Sequence, residues 1–108
     1  MPETALDWYF RAMEKDPIDK APHANSIDCF DALHKSDEEI YAWASKYKDI
    51  DMFNFNYYMG LAYHDKEKYN FAIKWFNSAL QIPDNSHYKV YNSMGISYND
   101  MQKYDEAR

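Results

Sequence analysis

Apolar side chains recur at helical spacing through much of the chain. Between residues 69 and 81 they fall three or four positions apart and share one face: Tyr69, Ala72, Ile73, Phe76, Ala79 and Leu80. This pattern predicts a helix, ended by Pro83 because proline cannot continue the hydrogen-bond ladder. Asp51 is a suitable N-cap for an earlier helix over 51–64, and the polar run 65–68 predicts a turn between the two. Together they form a predicted helical hairpin.

The start of this hairpin is repeated later in the chain. A shift of thirty-five residues places Met59-Gly60 on Met94-Gly95, Tyr63 on Tyr98, Asp65 on Asp100, Lys68-Tyr69 on Lys103-Tyr104, and Ala72 on Ala107. The chain has only 2 glycines, so their alignment is informative. We therefore predict a second copy whose first helix runs from about residue 87 to 101. Because glycine costs a helix ~1 kcal/mol relative to alanine, we expect another helix to approach closely at Gly60.

These residues resemble the tetratricopeptide repeat, whose signature is Trp-x2-Leu-Gly-x2-Tyr, then Ala-x3-Phe, a further Ala and a closing Pro. The matching positions lie between Phe53 and Pro83: Asn56 at the Trp position, Met59-Gly60, Tyr63, Ala72, Phe76 and Ala79. Asn56 departs from the signature, and Pro83 comes one residue early. The resemblance implies an all-α fold of antiparallel helix pairs, stacked as a short right-handed superhelix of about six to seven helices.

The resemblance also suggests how the chain is divided. Residues 1–17 resemble the second helix of a repeat, through Ala5, Tyr9, Ala12 and Pro17. Residues 18–50 are an irregular or degenerate helical pair: a loop over 18–25, then helices capped by Ser26 and by the Ser36/Glu39 capping box. Residues 51–86 form a repeat, and residues 87–108 form an incomplete one.

The chain is thus expected to begin with an unpaired second helix and to end with an unpaired first one. In one interpretation the two complete each other between molecules, which would produce a homo-oligomer. In the other, the apolar residues of the first helix cap the domain within the molecule: Leu6, Tyr9, Phe10 and Met13.

Composition narrows the functional classes. A length of 108 residues fits one domain, and a 46% hydrophobic and 19% aromatic content argues against disorder. The net charge of −6 disfavours nucleic acid and membrane surfaces as partners. The first residues lack a secretory signal, and the single Cys29 excludes an internal disulfide, so we expect a cytoplasmic protein.

The sequence gives no sign of an active site. The four histidines and Cys29 lack the paired spacing of a zinc site, and neither glycine belongs to a phosphate-binding loop. Cys29 lies beside Ile27 and Phe30, as a core cysteine would. We therefore expect no catalytic residue, no metal and no cofactor, and a protein that is not an enzyme.

Repeat superhelices bind along a concave surface formed by the first helix of each pair. The resemblance predicts a peptide-binding groove formed by Asn54, Tyr57, Leu61, His64, Lys89, Asn92, Ile96 and Asn99. Asparagine amides can bind an extended backbone, and Tyr57, Leu61 and Ile96 offer apolar anchors. The basic clamp of chaperone-docking members is missing, because Tyr57 with Leu61, and Lys89 with Ser93, occupy its positions.

The predicted function is a protein–protein interaction scaffold or adaptor that binds a protein segment or peptide in this groove. The alternative is a peptide-sensing regulatory domain of a larger signalling protein.

Overall fold

The computed structural model describes residues 4–107, so residues 1–3 and 108 of the predicted end segments lie outside the described residues. The described chain folds into six helices: α1 (Ala5–Lys15), α2 (Lys20–Ala32), α3 (Asp37–Ser45), α4 (Met52–Asp65), α5 (Tyr69–Leu80) and α6 (His87–Ala107). No strand occurs within that range. The all-α prediction is therefore confirmed. None of the helices in residues 4–107 has both the length and the apolar character that crossing a membrane requires.

The α4–α5 pair is the predicted hairpin. Asp51 caps α4 by accepting a hydrogen bond from the Asn54 backbone N–H at 3.1 Å. A Cβ built on the buried Gly60 would lie 2.5 Å from Cδ1 of Phe76, so only glycine allows the observed approach of α5. The close contact expected at Gly60 is confirmed. The Tyr63 ring stacks on the Phe71 ring nearby, with centroids 5.5 Å apart.

Helices α2 and α4 end in the same backbone turn. His34 and Glu67 have left-handed conformations, with φ of 53° and 61°. The next N–H in each case reaches back five residues, from Lys35 to Phe30 O at 2.9 Å and from Lys68 to Tyr63 O at 3.0 Å. Residues 20–45 therefore form a helix–turn–helix unit whose turn matches that of the α4–α5 hairpin.

The loop predicted over residues 18–25 is wrong, because α2 begins at Lys20. Asp19 caps the helix by accepting from the Ala21 N–H at 3.1 Å. Pro22 is tolerated because it stands in the first turn, where a backbone N–H has no partner within the helix. Ser26, expected to be a cap, is instead a buried residue of the helix interior.

The predicted end of α6 near residue 101 is also wrong, because the helix continues to Ala107. In the first copy, two ion pairs link the turn after α4 to α2, from Lys66 to Asp28 at 2.5 Å and from Lys68 to Asp31 at 2.7 Å. The residue equivalent to Lys66 is Met101, which cannot form an ion pair.

Helix α1 packs against the rest of the molecule through Leu6, Phe10 and Met13, all of which are buried. The Phe10 ring contacts rings from α2, α3 and α4 and one ring just after α3, with centroids 5.5–6.1 Å apart: Phe30, Trp43, Phe55 and Tyr47. Tyr47 also donates a hydrogen bond from its hydroxyl to Asp7. The apolar face of α1 is thus covered within the molecule.

Candidate binding site between helices 4 and 6

Helices α4 and α6 lie side by side and run in the same direction. The Tyr57 and Ser93 hydroxyls share a buried hydrogen bond of 3.0 Å near the start of the pair. Farther along both helices, His64 Nε2 donates to Asp100 Oδ2 at 2.8 Å. These two bonds join residues with the same offset in sequence, which fixes the parallel register of the two helices.

A small pocket of about 90 Å³ lies between these two bonds. Its lining comes from α4, α5 and α6: Leu61, His64, Phe76, Ser93, Ile96 and Ser97. Leu61 is half-buried and Ile96 is 46% exposed, so both present apolar surface at the mouth. The volume is enough for a few water molecules or one short side chain.

Ser97 gives this pocket an unsatisfied polar group. Its side chain is fully buried, and its Oγ has no hydrogen-bond partner among the described residues. A buried hydroxyl without a partner costs about 1–3 kcal/mol. The pocket therefore combines apolar walls with a hydroxyl that is covered in the free protein and that an entering group can reach once the side chains over it move.

The structure brings together three of the predicted groove residues, Leu61, His64 and Ile96, at this pocket. Tyr57 lies behind it, with its ring packed against Phe76 at a centroid distance of 5.9 Å, so its hydroxyl faces Ser93 and not solvent.

The remaining predicted residues lie apart from the pocket. Asn54 donates from Nδ2 to Asp51 Oδ2 at the beginning of α4, at 3.1 Å. Lys89, Asn92 and Asn99 are exposed along α6.

Phe76, Ser93 and Ser97 line the pocket but were not predicted. Val90, Ser93 and Ser97 follow each other at three- and four-residue spacing, which marks one face of α6. Small polar residues continuing from a buried valine were the available signal. The thirty-five-residue shift also places Ser97 on Ala62, a small buried residue of α4.

The largest pKa shifts belong to residues outside this pocket. His23 is buried against Phe55 and Tyr58, and its Nδ1–H donates to Asp19 O at 2.8 Å. Burial disfavours the charged ring and lowers the pKa of His23 to about 4. Burial likewise raises the pKa of Tyr63 to about 12. Both shifts follow from packing in the core.

Two further observations concern chemistry. Within residues 4–107, no three His, Cys, Asp or Glu side chains are grouped closely enough to hold a metal ion. Cys29 is partly buried and lines a separate apolar groove with Leu6, Leu33 and Trp43.

Searches of family models, curated proteins and solved structures with this chain gave no match.

Proposed function

We propose that this chain is an interaction module of the tetratricopeptide-repeat type, which binds an extended segment of another protein across the α4–α6 pocket. The observation that carries the proposal is the pocket itself, whose mouth is formed by Leu61 and the exposed Ile96 and whose floor covers the unpartnered Ser97 hydroxyl. A bound segment would cover the exposed part of Ile96, and a small movement of the side chains over Ser97 would let it also satisfy that hydroxyl.

The pocket chemistry indicates what kind of side chain enters. A pocket of about 90 Å³ favours a short side chain over an aromatic one. Leu61 and Ile96 favour a methyl group, whereas Ser97 favours an oxygen. A short side chain with both, such as that of threonine, therefore fits best.

Two exposed amides on α6 would hold the backbone of the segment. Asn92 and Asn99 are seven residues apart, so they stand about 10 Å apart along the helix axis. An extended chain covers this distance with about three residues, at roughly 3.3 Å each. Each amide offers both a donor and an acceptor to a peptide group.

Three features support the repeat-type architecture: the Gly60–Phe76 contact within the hairpin, the parallel contact between α4 and α6, and the shared turn after α2 and α4. A right-handed superhelix would place α2, α4 and α6 along its inner surface. The free Cys29 suits a reducing compartment such as the cytoplasm. The regulatory alternative would use the same pocket and stays a prediction.

The test is selection from a displayed library of short peptides, followed by calorimetric titration of the selected peptides. We expect a short side chain at one enriched position. Ile96→Arg should weaken binding at least tenfold, because it places a charged side chain at the pocket mouth without disturbing the core. Asn77→Arg, at an exposed position of α5, is the matched control, and this variant should bind as the unmodified protein does. Selected peptides that bind the Ile96→Arg variant equally well would contradict the proposal.

A further inference from the structure

A second surface of α6 has no explanation in the fold of this chain. Tyr88, Tyr91 and Tyr98 are 68%, 62% and 51% exposed. With Gly95 they form one stripe at three- and four-residue spacing, which we call the tyrosine face. No charged residue belongs to the stripe, although 28% of the chain is charged. Exposed aromatic side chains grouped without charges are typical of interfaces.

Gly95 is the informative member of this face. Glycine weakens a helix interior, and the usual compensation is that another chain segment can come close to it. A Cβ built on Gly95 would meet nothing within 4 Å. No contact within the described chain therefore requires glycine at this position.

The same residues one repeat earlier show what such a face accommodates. Gly60 is buried under the Phe76 ring of α5. Tyr63, the equivalent of Tyr98, is only 4% exposed and stacks against Trp75 of α5 at a centroid distance of 6.2 Å. Gly60 and Tyr63 are thus covered by α5, whereas Gly95 and Tyr98 of α6 are open. Phe53 and Asn56, the equivalents of Tyr88 and Tyr91, are also buried, and they contact His87 and Tyr41.

We propose that the tyrosine face docks an α-helix of another protein, which packs on α6 as α5 packs on α4. The interface continues the α4–α5 contact by one repeat, so its chemistry can be taken from α5. The docking helix carries a phenylalanine over Gly95, in the manner of Phe76. It carries small residues four positions before and three positions after that ring, as Ala72 and Ala79 do in α5.

A second copy of this chain fits the face less well than such a partner. Phe76 is 0% exposed, and the apolar residues of α1 are buried, so neither helix can offer these residues to a neighbour without unfolding its own molecule. Two tyrosine faces packed together would place glycine opposite glycine. The notch that Phe76 fills at Gly60 would then stay empty at Gly95.

The probe is a synthetic peptide of residues 66–84, which contains α5. Because a helix of this length is marginal alone, Asn70 is changed to Glu and joined by a lactam to Lys74, both positions being exposed in α5. Fluorescence anisotropy measures its binding to the full chain, and backbone amide chemical shifts locate it. We expect saturable binding with shifts concentrated in α6.

Three variants make the test specific. We expect Phe76→Ala in the peptide, and Gly95→Leu in the protein, each to weaken binding at least tenfold. Gly95→Leu should fold normally, because the added side chain meets open space. Asn25→Leu, on the exposed surface of α2, is the control of equal size and should bind as the unmodified protein does. Ser97→Ala, on the opposite side of α6, should also leave peptide binding unchanged, which separates this face from the α4–α6 pocket.

Three results would overturn the proposal. One is the absence of binding, and another is binding that Gly95→Leu does not affect, as would occur if the peptide displaced the chain's own α5. The third is a dimer of the protein alone, seen by sedimentation and dissociated by Gly95→Leu. That dimer would assign the face to a second copy.

Discussion

The two glycines allow a matched experiment on one substitution in two settings. Alanine is favoured over glycine in a helix interior by about 0.5–1 kcal/mol. At Gly95 the new methyl group meets nothing within 4 Å, so Gly95→Ala should raise the free energy of unfolding by that amount. At Gly60 the methyl group would overlap the ring of Phe76, which is itself fully buried.

Overpacking of this kind costs about 1–3 kcal/mol. The cost offsets or exceeds the gain in helix propensity, so Gly60→Ala should lower the free energy of unfolding by roughly 0–2 kcal/mol. Because both variants share the propensity gain, the difference between them, about 1–3 kcal/mol, isolates the contact with Phe76.

Urea unfolding, followed by far-ultraviolet circular dichroism, measures both free energies of unfolding. The slope of the free energy against urea concentration should be the same in all variants. A further variant combines Gly60→Ala with Phe76→Leu, and we expect the smaller side chain to remove most of the overpacking cost. Equal changes for Gly60→Ala and Gly95→Ala would refute this reasoning. They would mean that the Phe76 ring yields to the new methyl group and that close approach is not the role of Gly60.

Three other predictions concern single side chains. Burial lowers the pKa of His23 from its ordinary 6.5 to about 4, so as the pH falls the unfolded chain binds a proton before the folded protein does. The free energy of unfolding should therefore decrease between pH 6.5 and pH 4, by about 3 kcal/mol in all. His23→Phe should remove this decrease in the free energy of unfolding, measured by urea unfolding at about pH 7 and pH 5. The control Asn25→Ala should keep it. Tyr57→Phe should cost about 1 kcal/mol, and a double-mutant cycle with Ser93→Ala should recover that coupling. Ser97→Ala should leave the free protein as stable as before or up to ~1 kcal/mol more stable in thermal melting. It should nevertheless weaken the binding of peptides selected for the pocket. A clear loss of stability would show that the Ser97 hydroxyl has a hydrogen-bond partner.

Helices were predictable from sequence where local pattern decides them. The apolar periodicity of residues 69–81 and the Asp51 cap placed α4 and α5 within one residue of their observed bounds. The start of α2 was missed because Pro22 indicates a break except in a first turn. The end of α6 was missed because residues 100–103 resemble the turn at 65–68, whereas α6 continues through them as a helix.

The site was predictable only in part, for a related reason. The alignment of the two copies placed Leu61, His64 and Ile96 on the sides of their helices that line this pocket. Register does not say how closely two helices approach. The small Ser93 lets α6 come near enough to bury Tyr57 and to form the pocket, which is a property of the pair and not of either helix.

The position of the Phe10 ring has a consequence for how the molecule unfolds. Repeat arrays are usually modular, with each unit stabilised by its nearest neighbours only. Here one ring from α1 packs on rings from α2, α3 and α4 at once, so the first half of the chain shares a single cluster. Fragments cut after residue 17 or residue 50 would expose that cluster. The cooperative folding unit of this protein therefore extends from α1 into the α4–α5 hairpin. We expect that the hairpin does not fold on its own.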